Sequence, residues 1–232
     1  MNKDNREITI LKEIQALQMP AGAIYLSQKL QIPQGSLGRI LTSLEASGLL
    51  IKEQNKGRIL TEKGEQYLID YTYRMNQLNN AETLINIVED ITKERLIEIV
   101  EMRILLECTA IETACRSITD EQLIILEDIL LDNSYEVRKG LLGEATDLQL
   151  HLTLAKFSGN VTLYQILRLL LTQNNSFSRL TDTRNPELES SVTQHEEILK
   201  QLRKRDATAA CAAMKRHLEQ LLLEINIAYH ES

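Results

Sequence analysis

Gln34-Gly-Ser-Leu-Gly-Arg-Ile-Leu-Thr-Ser-Leu-Glu-Ala-Ser-Gly48 is followed by Leu49-Leu-Ile-Lys-Glu53, Asn55-Lys-Gly57 and Arg58-Ile-Leu-Thr61, and the reading of this run decides the fold of the front of the chain. Leu37, Ile40, Leu41 and Leu44 recur at helical spacing and predict a helix with one apolar face. Ser47-Gly48 closes it, because glycine takes the left-handed conformation that ends helices without strain. The two short apolar stretches after it predict strands joined at Asn55-Lys56-Gly57, a hairpin turn with glycine where positive φ is wanted.

Working outward, Ile8, Leu11, Ile14 and Leu17 predict a first amphipathic helix that Met19-Pro-Ala-Gly22 stops. Leu26 and Leu30 mark a short second helix, ended at Ile32-Pro33. A fourth begins near Thr61-Glu-Lys-Gly64 and carries Tyr67, Leu68 and Tyr71. Helix, short helix, helix, hairpin is the order of a winged helix-turn-helix, whose third helix enters the DNA major groove while the hairpin reaches flanking phosphates. Gln34, Ser36 and Arg39, with Thr42 and Ser43 further along, are expected to reach base edges or phosphates. Lys56 and Arg58 flank the wing tip and suit phosphate contact. The alternative is a winged helix used for protein contacts, with the same side chains merely solvated.

The 232 residues have room for a large domain or two smaller ones. A 43% apolar and 25% charged composition, 3 prolines, 9 glycines and no tryptophan fit a globular, mostly helical chain. The net charge of −7 is unevenly spread. Residues 1–80 hold 10 Lys+Arg against 8 Asp+Glu, whereas residues 81–232 hold 16 against 25. A slightly basic front and an acidic back predict two domains with different partners, a DNA-binding unit over 1–80 and a second over 81–232. The polar stretch Met75-Asn-Gln-Leu-Asn-Asn80 is the expected boundary. The first residues lack the apolar run of a signal peptide, and no stretch of membrane-spanning length occurs, so a cytoplasmic protein is expected. Cys108, Cys115 and Cys211 lie in apolar helical patterns and read as reduced, buried thiols.

Behind the boundary, only helical patterns occur. They cover residues 92–117, a segment opened by the capping box Thr119-Asp-Glu-Gln122, Gly140 to Phe157, Val161 to Thr172, Ser190 to Lys204, and a last helix capped by Asp206. Thr181 to Pro186 reads as a loop. The fold class is therefore mainly α: a winged helix-turn-helix followed by an antiparallel all-helical bundle. Within that bundle, Asp147 and His151 stand one helical turn apart on a single face. His195 and His217 fall on two other helices, so one carboxylate and three imidazoles could meet at a point, a plausible shell for a divalent transition metal. Isolated surface or core histidines are the competing reading. His230, close to the end, reads as a surface residue.

In this order the residues resemble the FCD ligand-sensing domain of FadR-like GntR transcription regulators. Glu101-Met-Arg103-Ile-Leu-Leu-Glu107 looks like that domain's first helix. Asp147-Leu-Gln-Leu-His151 with Ser158-Gly-Asn160 looks like its "D-x-x-F-H … G-N" signature, with Leu150 in place of phenylalanine. Gln194-His195-Glu-Glu-Ile-Leu199 and Asp206 through Met214-Lys-Arg-His217-Leu complete the match over roughly residues 92–225. The front half is similar to bacterial winged-helix repressors more generally. Where GntR readers usually carry two arginines, this chain has Gln34 and Gly38, with only Arg39 as a nearby cation, so the usual base contacts do not carry over.

The resemblance implies a divalent metal (zinc, nickel or manganese) held by Asp147, His151, His195 and His217, whose open positions take the carboxylate of a small organic acid effector. It also implies that Arg103 clamps the same or a second carboxylate, the alternative being a structural salt bridge in the bundle. Asn160 reads as a helix cap. The function expected is that of a dimeric, operator-binding transcription regulator, most simply a repressor, and not an enzyme. Two other readings stay open: a metalloenzyme using the Asp/His shell, which no H-E-x-x-H or di-iron pattern supports, and a direct metal sensor without organic effector.

Overall fold

A computed structural model describes residues 3–90, 92–172 and 185–229 of the chain. It is mainly helical, and the chain packs as two units, Met1–Glu82 and Thr83–Ser232. In the first unit α1 (Lys3–Leu17), α2 (Ala23–Leu30) and α3 (Gln34–Ala46) precede a two-stranded antiparallel sheet of β1 (Leu50–Glu53) and β2 (Gly57–Leu60), and α4 (Glu62–Glu89) follows. This is the helix–helix–helix–hairpin order expected from the sequence. Leu37, Leu41 and Leu44 of α3 bury against Ile10, Leu11 and Leu26, and Ile40 packs at the margin. Gly48 follows α3 with φ 72°, as its place after the last turn requires.

The hairpin register pairs Leu50 with Leu60, Ile51 with Ile59, Lys52 with Arg58 and Glu53 with Gly57. Beyond the hairpin, Ala21 and Arg58 exchange backbone hydrogen bonds of 2.9 and 3.0 Å, which tie the wing to the segment before α2. Gly57 sits at φ 138° against that segment, and a Cβ there would lie 2.5 Å from the Ala21 carbonyl. Glycine is required at this position for space as well as for conformation.

Met75–Asn80, the expected boundary, is not a break: it lies inside α4. Between Gly64 and Glu89 the chain has neither glycine nor proline, so the helix continues although most of its side chains, apolar ones such as Ile69, Tyr73 and Leu78 included, are exposed. Apolar residues spread over several faces give no single periodic stripe by which the helix is recognised. The packing division falls within the same helix, between Glu82 and Thr83.

The second unit is an all-helical bundle of α5 (Lys93–Ala114), α6 (Asp120–Arg138), α7 (Glu144–Phe157), α8 (Val161–Thr172), α9 (Asn185–Arg203) and α10 (Ala207–Ala228). Helix α10 packs on α5 and α9, α9 on α6, α6 on α7, and α7 on α5 and α8. Leu96, Val100, Leu126, Leu154, Ile198 and Leu218 are among its buried core. The Thr119/Gln122 capping box closes reciprocally, with bonds of 3.2 and 3.0 Å, and the Asp206 carboxylate accepts the Ala209 amide at 2.9 Å.

Two boundaries differ from expectation. Helix α7 starts at Glu144 rather than Gly140, because Gly140 and Gly143 both hold positive φ. Helix α9 starts at Asn185, with Pro186 in its first turn, where a missing amide hydrogen costs nothing. Of the loop expected at 181–186, residues 181–184 lie outside the described residues, as does His230. Among the described residues no helix is long and apolar enough to cross a membrane.

Candidate metal centre

Three helices converge on one point in the bundle. Helix α7 presents Asp147 and His151 one turn apart, α9 presents His195, and α10 presents His217. All three imidazoles are buried, whereas the Asp147 side chain is 39% exposed. His195 Nε2 lies 3.3 Å from His151 Nε2 and 3.2 Å from His217 Nε2. Asp147 stands beside two of them, with Oδ1 3.5 Å from His195 Nε2 and Oδ2 3.9 Å from His151 Nε2, while the three histidines alone form the mutually close set.

These separations fit a shared cation. Ligands bonded at about 2.1 Å and separated by 90–110° stand roughly 3.0–3.4 Å apart. The outward nitrogens support the same tautomer. His151 Nδ1 meets Glu107 Oε2 at 2.5 Å, and His217 Nδ1 meets the Gln194 carboxamide oxygen at 2.8 Å. An imidazole that donates from Nδ1 keeps its Nε2 lone pair free to bind metal, and such partners fix the ring's orientation. His195 Nδ1 is buried with no hydrogen-bond partner among the described residues. Three imidazole nitrogens turned inward within van der Waals distance are a poor arrangement on their own and a good one around a divalent ion. The donor set of three imidazoles and one carboxylate fits zinc, nickel or manganese.

The charges behind the rings are arranged to the same end. Burial would raise the Glu107 carboxyl, but the charges of His151 and Arg103 and their hydrogen bonds outweigh it and hold it at about 2. Glu107 is therefore an anion. Burial would lower His151, and the Glu107 charge overrides this and raises it. Burial takes His195 down to about 4 and His217 well below the usual histidine range, helped in both cases by neighbouring cations. Those two rings are neutral at physiological pH, the form that ligates metal.

Arg103 is buried on α5, and its Nε donates to Glu107 Oε1 at 2.8 Å. The salt bridge weighed as an alternative is thus present, and through Glu107 it connects Arg103 to His151. Glu107 and Gln194 were not assigned site roles from the sequence. A signal for Glu107 existed: it falls on the buried stripe Leu96, Val100, Arg103, Ala110 and Ala114 of α5, where a charge must find a partner. Gln194 carries no comparable signal. Asn160 caps α8 by accepting the Leu163 amide at 3.0 Å. The three cysteines are unpaired thiols. Burial, with a hydrogen bond toward Cys211, pushes Cys108 up to about 12, far from a reactive thiolate.

On the first unit, Gln34, Arg39, Thr42 and Ser43 of α3 are exposed, and Ser36 is half-buried. Thr42 donates its hydroxyl to the Gly38 carbonyl at 3.0 Å, and Arg39 lies back toward the Gly35 carbonyl at 3.4 Å. Lys56 is exposed at the wing tip. Arg58 is not: its Nε lies 2.5 Å from Glu45 Oε1, so it braces the wing against α3. Lys52, opposite Arg58 in the register, is an exposed wing cation that the sequence reading passed over.

Comparison with known proteins places this geometry in context. Residues 98–220 match the FCD domain. The HTH-type transcriptional regulator LutR of Bacillus subtilis (strain 168) is 25% identical over 198 residues, spanning 83% of this chain and 84% of LutR. McbR/YncC of E. coli is 15% identical and superposes with a TM-score of 0.54, covering 97% of this chain and 95% of that one. The metal-free FCD domain of TM0439 is 18% identical, with a TM-score of 0.53 over 62% of this chain and 99% of its own. At these identities the structural likeness is one of fold.

Proposed function

The chain belongs to the FCD-domain family of GntR-type transcriptional regulators, and from that premise we propose that it is a metal-dependent sensor of a small carboxylate that controls operator binding. The observation that carries this reading is the convergence of the Nε2 atoms of His151, His195 and His217, with the Asp147 carboxylate 3.5 and 3.9 Å from two of them. The neighbouring FCD structure described as metal-free agrees with a domain whose metal can be present or absent. A divalent cation held there supplies positive charge with open positions that a carboxylate can fill.

The chain's own residues do the rest. Three neutral imidazoles and one carboxylate leave a bound dication with net positive charge, which favours an anionic effector. Exposure of Asp147 leaves that side of the centre open, while the histidines close the others. Arg103 holds Glu107 through Nε, and its terminal guanidinium nitrogens suit a second carboxylate oxygen. Effector binding controls the DNA only if the two states of the protein bind it with different affinity.

The reader is the first unit, acting as a winged helix-turn-helix. Gln34, Ser36, Arg39, Thr42 and Ser43 face base edges and phosphates, Lys56 meets phosphate at the wing tip, and Arg58 sets the wing's angle through Glu45. Two half-sites require two readers, hence a homodimer acting on DNA in the cytoplasm. The test is elemental analysis of gently purified protein, followed by gel shifts with its upstream DNA, adding metal alone and then metal with candidate carboxylic acids. Stoichiometric metal and an acid-dependent shift are expected. DNA binding indifferent to every acid but sensitive to metal makes the protein a direct metal sensor. No binding to any DNA at low salt removes the regulator reading of the first unit.

A further inference from the structure

Asp147 differs from the three histidines in how it is held. His151 and His217 are anchored through their outer nitrogens, and His195 is fully buried, but the Asp147 side chain is 39% exposed. No side-chain cap fixes the start of its helix either, since the residue before α7 is Gly143. What fixes that start comes from α6. Asn133 is buried there, and its Nδ2 donates to the Gly143 carbonyl at 2.9 Å and to Thr146 Oγ1 at 2.9 Å. The Gly143 carbonyl also accepts the backbone amide of Asp147, at 2.9 Å. One carbonyl oxygen therefore joins Asn133 to Asp147 directly.

The fit around this oxygen is close. Gly143 holds φ 67°, and a Cβ there would lie 2.6 Å from Asn133 Nδ2 and 3.3 Å from Val137. The Thr146 hydroxyl lies 2.9 Å from Glu136 Oε2 and 2.8 Å from the Gly143 carbonyl. It accepts from Asn133, so its single proton serves one of these two acceptors. Both hydrogens of the Asn133 carboxamide are thus spent on the first turn of α7, the turn from which Asp147 projects.

We infer that Asn133 is a positioning residue for the metal centre, acting through Asp147: its carboxamide sets the first turn of α7 so that the aspartate stands beside the three imidazoles. The inference rests on the metal reading of the centre. It predicts a coupling that a merely structural asparagine would not produce. Loss of Asn133 matters to the metal only while Asp147 is there to be positioned.

The experiment is a double-mutant cycle in the full chain, read by calorimetric titration of metal-stripped protein with Zn²⁺ alone against a competing chelator. The expected result is that Asn133→Ala weakens zinc binding about tenfold, the lower end of the usual effect of such supporting contacts, and adds nothing in an Asp147→Ala background. Equal weakening in both backgrounds assigns Asn133 a structural role and overturns the inference, as does unchanged affinity in Asn133→Ala. If the unmodified protein takes up Ni²⁺ or Mn²⁺ but not Zn²⁺, the cycle is read with that ion, and failure to take up any of the three overturns the metal reading itself and this inference with it. If Asn133→Ala does not fold, Thr146→Val, which removes the other side-chain contact of the clasp, replaces it in the same cycle with the same expected pattern.

Discussion

His151 Nδ1 lies 2.5 Å from Glu107 Oε2, and both side chains are buried. Because Arg103 donates to the other oxygen of that carboxylate, Glu107 both orients a metal-ligand candidate and neutralises a buried cation. Glu107→Ala should therefore show two separable losses. Metal affinity falls 10–100-fold in a competition titration, the usual cost of removing such a partner. Stability of the metal-free protein falls by about 3–5 kcal/mol in chemical denaturation, the cost of an unpaired buried charge. Glu107→Gln keeps the acceptor for His151 and should recover more of the affinity than of the stability.

The centre should make the second unit's stability depend on metal. Zn²⁺ at about a hundred times its dissociation constant should stabilise the fold by roughly 3 kcal/mol. That corresponds to a melting shift of about 5–10 °C for a domain of this size. Chelator should reverse the shift, and His195→Ala should abolish it. An equal shift in His195→Ala places the metal elsewhere and sinks the assignment.

Acid should weaken the metal-free protein in a defined window. His195 at about 4 and His217 well below its usual range remain neutral in the folded state while their unfolded forms protonate near 6.5. Their contribution is fully present above 6.5 and is lost as pH falls toward 4. His151 is raised, so it opposes them: its contribution is present below 6.5 and fades as pH rises through its folded value. Below 6.5 only the two depressed groups bind protons differently in the folded and unfolded states, so stability should climb from pH 4.5 to 6.5 by roughly 1 kcal/mol or more per unit, and above 6.5 the fading His151 contribution should make it level or decline. Glu107, held at about 2, adds a further loss below 4.5. A flat melting profile between pH 4.5 and 6.5 would contradict this arrangement.

On the first unit, two neighbouring cations should behave differently. Lys56→Ala removes an exposed charge and should weaken DNA binding evenly across sequences, reducing the salt-dependence slope by about 1. Arg58→Ala breaks the brace to Glu45 and should also alter sequence preference, since the angle between wing and α3 is no longer held. Footprinting and salt titration of the two variants separate these outcomes.

The elements with local signatures were readable in the sequence. The apolar row Leu37, Leu41 and Leu44, the Thr119/Gln122 box and the turn glycines 48 and 57 each carry their reason within a few residues. The grouping of Asp147 with His151 follows from one helical turn, and the approach of His195 and His217 needed three helices to be counted correctly. Features set by distant partners were hidden. The start of α7 depends on Asn133 of α6, the role of Gln194 on the ring of His217, and the bracing of Arg58 on a glutamate 13 residues away. The unbroken α4 was hidden for the opposite reason: nothing buries most of its faces, so no pattern marks it.

The close approach of Gly57 to Ala21 has a bearing on how such a reader can change over evolutionary time. Position 57 is closed to any side chain, because its Cβ would fall 2.5 Å from backbone atoms that cannot move without unpairing the wing from the segment before α2. The neighbouring Asn55 and Lys56 are exposed. In the proposed reader, drift in DNA preference would accumulate at the tip by substitution at those two positions, while the glycine beside them holds the hairpin in place.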